Sequence, residues 1–83
     1  GTGTPEPGGL TSRQLLDAVR RIGMELPLGG LDVVEVSPPY DHAEVTAYLG
    51  NRVVLEALSG IAWRRRHQQG DKPRIPSSPL LDR

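Results

Sequence analysis

The spacing of apolar residues predicts a first helix in the N-terminal third of the chain. Thr11 and Gln14 match a capping box, in which each side chain bonds the backbone amide of the other residue. Gly23 suits the position just after the last helical turn. The apolar residues that recur at the spacing of one helical face are Leu15, Leu16, Val19 and Ile22.

Residues 31–37 predict a single buried β-strand. Most of its apolar residues are β-branched, which suits a strand that is covered on both faces. They are Leu31, Val33, Val34 and Val36. Two prolines follow Ser37 and end the strand, because proline has no N–H donor and a fixed φ. One strand between two helices predicts the α/β class, and its two unpaired edges indicate neighbours outside these residues.

A second helix is predicted from its N-cap, Asp41, to about Arg65. Glu44 stands where it can complete a capping box with Asp41. Apolar residues cover most of the circumference of this helix, and such a helix belongs in the interior of a larger body. We therefore expect the chain to be a segment of a longer protein.

Composition excludes several classes of function. The 83 residues include no cysteine and carry a formal net charge of +0, and this balance argues against nucleic-acid binding. We see no signal peptide, and no apolar run reaches the roughly 20 residues that cross a bilayer. Residues 1–66 are predicted to be part of one domain, and the polar, proline-rich residues 67–83 a disordered tail.

Glu35 is the strongest candidate for chemistry, because a carboxylate near the end of a buried strand is costly without a cation. Two interpretations remain open: it grips a ligand's planar guanidinium through two oxygens, or it pairs with an arginine of an adjacent strand. Asp32 and Asp41 are expected to bond backbone amides. The two histidines, His42 and His67, fit no metal-ligand spacing, so we assign no catalytic residue and no metal ligand.

Three segments in series carry a resemblance to a known family. They are GTGTPEPGGLT at residues 1–11, GLDVVEV at residues 30–36 and SPPYD at residues 37–41 with Thr46 and Ala47 beyond it. Over about residues 1–62, the chain resembles the C-terminal part of the ureohydrolase family, which includes arginase and agmatinase. The SPPYD ending is more similar to agmatinase or guanidinobutyrase than to arginase.

The resemblance implies a three-layer α/β/α fold with a parallel sheet, of which this chain would be the C-terminal fragment. Family members hydrolyse a guanidinium group to urea and an amine, using a hydroxide that bridges two manganese ions (Mn²⁺). Glu35 matches the family glutamate that holds the guanidinium, and Thr4 matches the threonine of the loop at the substrate pocket. The family's metal ligands lie upstream of these motifs, so the fragment alone is expected to be inactive.

The resemblance also implies a small guanidinium substrate, a cytoplasmic location and a homo-oligomer for the full-length enzyme, with no nucleic-acid or membrane partner. An alternative stays open at this point. The chain is then a truncated, non-catalytic fragment that acts as a protein-interaction module and docks its apolar helix on a partner.

Overall fold

A computed structural model describes residues 1–68, which form two packed helices joined by a long connection. Helix α1 is Ser12–Glu25 and helix α2 is Val45–Gln68. Two short 3₁₀ turns, Pro38–Tyr40 and His42–Glu44, lead into α2. Of the predicted tail, residues 67 and 68 belong to α2, and residues 69–83 lie outside the described residues. The predicted domain boundary after residue 66 stays a prediction.

The predicted start of α1 is confirmed, and its predicted end is wrong. The Thr11 amide donates to the Gln14 side chain at 3.0 Å, and the Gln14 amide donates to the Thr11 hydroxyl at 3.1 Å. The helix continues through Gly23 to Glu25, where the amide of Leu26 donates to the Ile22 carbonyl at 2.9 Å. Gly23 therefore has a different role from the predicted C-terminal cap.

Gly23 allows the two helices to approach each other closely. A Cβ atom on Gly23 would lie 2.9 Å from the carbonyl oxygen of Ala57 and 3.1 Å from the Cα of Gly60. A Cβ atom on Gly60 would lie 2.6 Å from the carbonyl oxygen of Arg20. All these neighbours are backbone atoms, which cannot rotate away. The contact therefore requires glycine on both helices.

Polar contacts flank this crossing. Glu56 of α2 accepts from Arg20 of α1 at 2.8 Å and from Arg52 at 2.9 Å. Arg64 donates to the carbonyl of Glu25 at the end of α1, at 3.2 Å. Hydrogen bonds from Arg52 and Arg20 lower the pKa of Glu56. Because the arginines of the Glu56 pairs are about half exposed, these contacts fix how the helices meet more than they stabilise the fold.

The core of the described residues is small, and the predicted buried strand is not confirmed. Leu16, Val53 and Ala57 are buried, with exposed fractions of 6%, 8% and 2%. Residues 31–37 form no strand, and Val34 is 67% exposed. The physical reason is that this part of the chain offers no second strand to supply ladder hydrogen bonds. The α/β class is thus not visible in residues 1–68 themselves.

The outer surface of α2 stays largely apolar, as the sequence predicts. Large apolar side chains of α2 that are exposed include Val45, Tyr48, Leu55, Leu58 and Trp63. A groove of about 300 Å³ separates α2 from the connection near residues 28–31. No helix among residues 1–68 combines the length and the apolar character needed to cross a membrane.

The glycine contact can be tested with Gly60→Ala. Alanine favours a helix by about 1 kcal/mol over glycine, yet we expect the substitution to lower the free energy of unfolding by about 1–3 kcal/mol, because the added methyl group must displace backbone. Urea denaturation measures the change. The matched control is Ser59→Ala on the exposed side of α2, with an expected change within about 0.5 kcal/mol. Equal effects of the two substitutions would contradict the close contact.

Candidate functional site

Three segments of the chain meet at the N-terminal end of α2. The amide of Ser37 donates to the carbonyl of Gly1 at 2.8 Å, which joins the start of the GTGTP loop to the end of the 31–37 segment. Gly1 also lies directly against the side chains of Asp41 and Thr46. The structure therefore brings together the three motifs that the sequence singles out.

Asp41 caps α2, as predicted, but with a different register. Its two carboxylate oxygens accept from the amides of Thr46 at 2.8 Å and Ala47 at 2.9 Å. The predicted capping box with Glu44 is wrong, because Ala43 and Glu44 have left-handed backbones with φ of 54° and 62°. These two residues displace the helix start, so Asp41 reaches amides five and six positions ahead.

Hydrogen bonds keep Asp41 ionised. The carboxyl group is half-buried, and burial is the strongest single influence on its pKa, which it raises. The amides of Thr46 and Ala47, the Thr46 side chain and the positive charge of the amino group of Gly1 all act against burial, and the net result is a pKa of Asp41 below its ordinary value. Asp41 is therefore a carboxylate at neutral pH.

Glu35 has an unusual backbone. Its φ is 68°, in the left-handed region, where a residue with a long side chain costs on the order of 1–3 kcal/mol. Its side chain is exposed, and no arginine or lysine within residues 1–68 lies at ion-pair distance from it. Glu44 shares these features, with an exposed side chain, a φ of 62° and no ion pair within residues 1–68, so the backbone conformation alone does not distinguish Glu35.

Thr4, the other predicted substrate residue, is exposed on the GTGTP loop. Its side chain makes no hydrogen bond to Glu35 within the part of the chain that the structure describes. The backbone links the two residues, because the amide of Ser37 donates to the carbonyl of Gly1. Gly1 lies three residues before Thr4, and Ser37 lies two residues after Glu35. The structure thus brings the two segments together without joining the two side chains.

Of the remaining candidates in the described part of the chain, only His67 makes a side-chain contact of note. Asp32 and His42 are exposed, and within residues 1–68 the side chain of Asp32 makes none of the predicted bonds to backbone amides. His67 stacks on Trp63 with ring centroids 3.8 Å apart, and its Nδ1 lies 2.8 Å from the Trp63 carbonyl oxygen. In residues 1–68, no three His, Cys, Asp or Glu side chains form a group that could hold a metal ion. These side chains therefore do not fit a two-manganese centre by themselves.

The sequence places Gly1 and Thr46 within the resembling motifs but does not predict that both lie against Asp41. The glycine-rich composition of residues 1–9 indicated only that the backbone there can approach other groups closely. The left-handed conformations of Ala43 and Glu44 have no signal in the sequence, since neither is a glycine or asparagine.

The capping role of Asp41 predicts a pH dependence. Folding lowers the pKa of Asp41, so the ionised group stabilises the folded state. This stabilisation is fully present at pH values above the ordinary pKa of aspartate, and it is lost as the pH falls through the lowered pKa of the folded state. Asp41→Asn keeps one acceptor oxygen, so we expect it to be less stable than the wild type at pH 7 and equally stable well below about pH 3.9. Urea midpoints at both pH values measure this, with the exposed Asp32→Asn as control. A difference that persists unchanged in acid would contradict it.

Comparison with known proteins covers most of the described residues. A family model for the arginase family matches residues 1–60. An agmatinase from Chromobacterium violaceum is 48% identical over 58 residues, which are 70% of this chain and 18% of the relative. Proclavaminate amidinohydrolase from Streptomyces clavuligerus is 47% identical over 68 residues, 82% of this chain and 21% of the relative. No solved structure matches the chain.

A further relative, an agmatinase from Bacillus subtilis, is 46% identical over 61 residues, which are 72% of this chain and 21% of the relative. The chain spans about a fifth of the length of these curated relatives. The match to the family model includes the GTGTP loop, Glu35 and the Asp41 cap. Because that match covers well over half of the 83 residues, this chain belongs to the arginase family.

Proposed function

We propose that this chain is the C-terminal part of a manganese-dependent, agmatinase-like ureohydrolase that hydrolyses the guanidinium group of a small amine to urea. We call the longer polypeptide that contains these residues the parent enzyme. Family membership supports this proposal, as do the names of the relatives, agmatinase and proclavaminate amidinohydrolase. The proposed parent enzyme is a cytoplasmic homo-oligomer.

The observation that carries the proposal is the unpaired carboxylate of Glu35. The four ion pairs of residues 1–68 involve only residues of the two helices, three of them within one helix and one between the helices. Glu35 lies outside both helices, as do the exposed and unpaired Glu6, Asp32 and Glu44. Among these, Glu35 is the one that matches the family glutamate that holds the guanidinium, so we propose that its carboxylate receives the substrate's cation. A guanidinium group can donate two parallel hydrogen bonds to one carboxylate, which gives both strength and orientation.

Thr4 supplies the second proposed contact. Its hydroxyl can donate or accept a hydrogen bond, which suits a substrate that carries an amine or another polar group besides the guanidinium. In the parent enzyme, two manganese ions are proposed to supply the activated water. Since residues 1–68 contain no group of metal-ligating side chains, the proposed role of this segment is confined to binding and orienting the substrate.

The interaction-module alternative is less well supported. It depends on the exposed apolar residues of α2, and most of this helix falls inside the match to the arginase family. A helix of that family needs no foreign partner to explain its apolar surface, because a larger domain covers it.

Glu35→Gln in the parent enzyme tests the binding role. Glutamine keeps one acceptor oxygen but loses the charge, and a hydrogen bond to a charged group contributes about 1.5–3 kcal/mol. We therefore expect kcat/KM for agmatine to fall about tenfold to a hundredfold, with manganese content unchanged. The matched control is Glu44→Gln, because Glu44 is also exposed and left-handed but lies outside the proposed pocket. Wild-type kinetics for Glu35→Gln would remove Glu35 from the site.

The 83-residue chain by itself should release no urea from agmatine, with or without added manganese chloride, because its described residues cannot hold the metal centre. A colorimetric urea assay measures this, and the parent enzyme under the same conditions is the positive control. Manganese-dependent urea release by the isolated chain would contradict the division of labour proposed here.

A further inference from the structure

We propose that Gly1, Asp41 and Thr46 form a positioning clasp that sets the distance between Thr4 and Glu35. The inference rests on the proposed function and adds to it three residues that do not themselves touch the substrate. The clasp ties the GTGTP loop to the start of α2, while the bond from Ser37 to Gly1 ties the same loop to the segment that carries Glu35.

The contact at Gly1 leaves no space for a side chain. A Cβ atom there would lie 2.5 Å from the Thr46 hydroxyl oxygen, 2.6 Å from an Asp41 carboxylate oxygen and 2.7 Å from the Asp41 Cγ. Real Cβ atoms do not approach heavy atoms this closely. A larger residue at position 1 would therefore require the side chains of Asp41 and Thr46 to move.

The far side of the clasp is fixed as well. Asp41 accepts from the amides of Thr46 and Ala47, at 2.8 and 2.9 Å, so its carboxylate cannot turn away without losing the cap of α2. The Thr46 hydroxyl lies beside this carboxylate, since a Cβ atom on Gly1 would lie 2.5 Å from the one and 2.6 Å from the other. The Asp41 side chain that meets Gly1 is thus held by the first turn of a 24-residue helix, which also carries Thr46.

The position of Gly1 matters because it is close along the chain, or through one hydrogen bond, to both proposed pocket residues, Thr4 and Glu35. Gly1 precedes Thr4 by three residues, and Ser37, which bonds Gly1, follows Glu35 by two. A shift of the loop at Gly1 is therefore transmitted to Thr4 through very little chain. Misplacement of a binding group by about 1 Å can reduce turnover about a hundredfold.

The experiment compares Thr46→Val and Thr46→Ser in the parent enzyme. Valine keeps the shape of threonine and the backbone amide but removes the hydroxyl, whereas serine retains the hydroxyl. We expect Thr46→Val to lower kcat/KM for agmatine about tenfold or more, with manganese content unchanged, and Thr46→Ser to stay within about twofold of the wild type. A role in stability alone predicts unaltered kinetics for folded Thr46→Val at 25 °C.

Gly1→Ala provides an independent second variant, with Gly9→Ala as its control because a Cβ on Gly9 meets no atom within 4 Å. We expect Gly1→Ala to lower kcat/KM and Gly9→Ala to leave it unchanged. Since Gly1 and Thr46 act at one contact, the double variant Gly1→Ala/Thr46→Val should lose much less than the product of the two single losses.

The outcomes separate the two proposals. A wild-type parent enzyme that releases no urea from agmatine, guanidinobutyrate or arginine would overturn the proposed function and the clasp's role with it. An active wild type whose Thr46→Val and Gly1→Ala variants have unchanged kinetics would overturn the clasp alone. Multiplicative losses in the double variant would also count against it, because they would show that Gly1 and Thr46 act separately.

Discussion

The described structure depends on one steric constraint, the absence of side chains where α1 crosses α2. Gly23 and Gly60 let backbone meet backbone, with a hypothetical Cβ on Gly60 only 2.6 Å from the Arg20 carbonyl oxygen. The same two helices supply the buried apolar side chains of residues 1–68, Leu16, Val53 and Ala57. The ion pairs of Glu56 and the bond from Arg64 surround the contact. The helix pair is thus the one well-packed unit of residues 1–68.

That helix pair also determines where the candidate site lies. The connection of residues 26–44 begins at the end of α1 and ends at the start of α2, so packing of the helices fixes both its ends. Between them, the connection is held by the bond from Ser37 to Gly1 and by the Asp41 cap. The connection, which packs against few other residues, is thereby held at Ser37, two residues after Glu35. Strain at Glu35, with φ of 68°, persists because its surroundings are fixed in this way.

Local signals in the sequence predict two of the helix caps correctly, whereas the predicted Gly23 cap and the predicted capping box of Glu44 are wrong. The capping box of Thr11 and Gln14 and the capping role of Asp41 each depend on side chains near in sequence, and both are present. The strand at residues 31–37 was not confirmed, because a strand needs hydrogen bonds from a neighbouring strand, and residues 1–68 supply none. Gly23 was misassigned because a glycine at a helix end and one at a helix crossing look alike until the second helix is placed. The sequence predicts Glu35 as a candidate from its residue type and its position in the 31–37 segment. It does not predict the left-handed backbone of Glu35.

The distribution of charges links the fold to the proposed chemistry. A carboxylate that binds a guanidinium ligand must not be paired with an arginine of its own protein. Such an arginine would compete with the free ligand, because its effective concentration at the carboxylate is far higher. Within residues 1–68, arginines of both helices pair with acidic side chains of the same helices, such as Arg13 with Asp17 and Arg21 with Glu25. These pairs contribute little stability at the surface. None of the four ion pairs of residues 1–68 includes Glu35, so no arginine of this segment occupies its carboxylate.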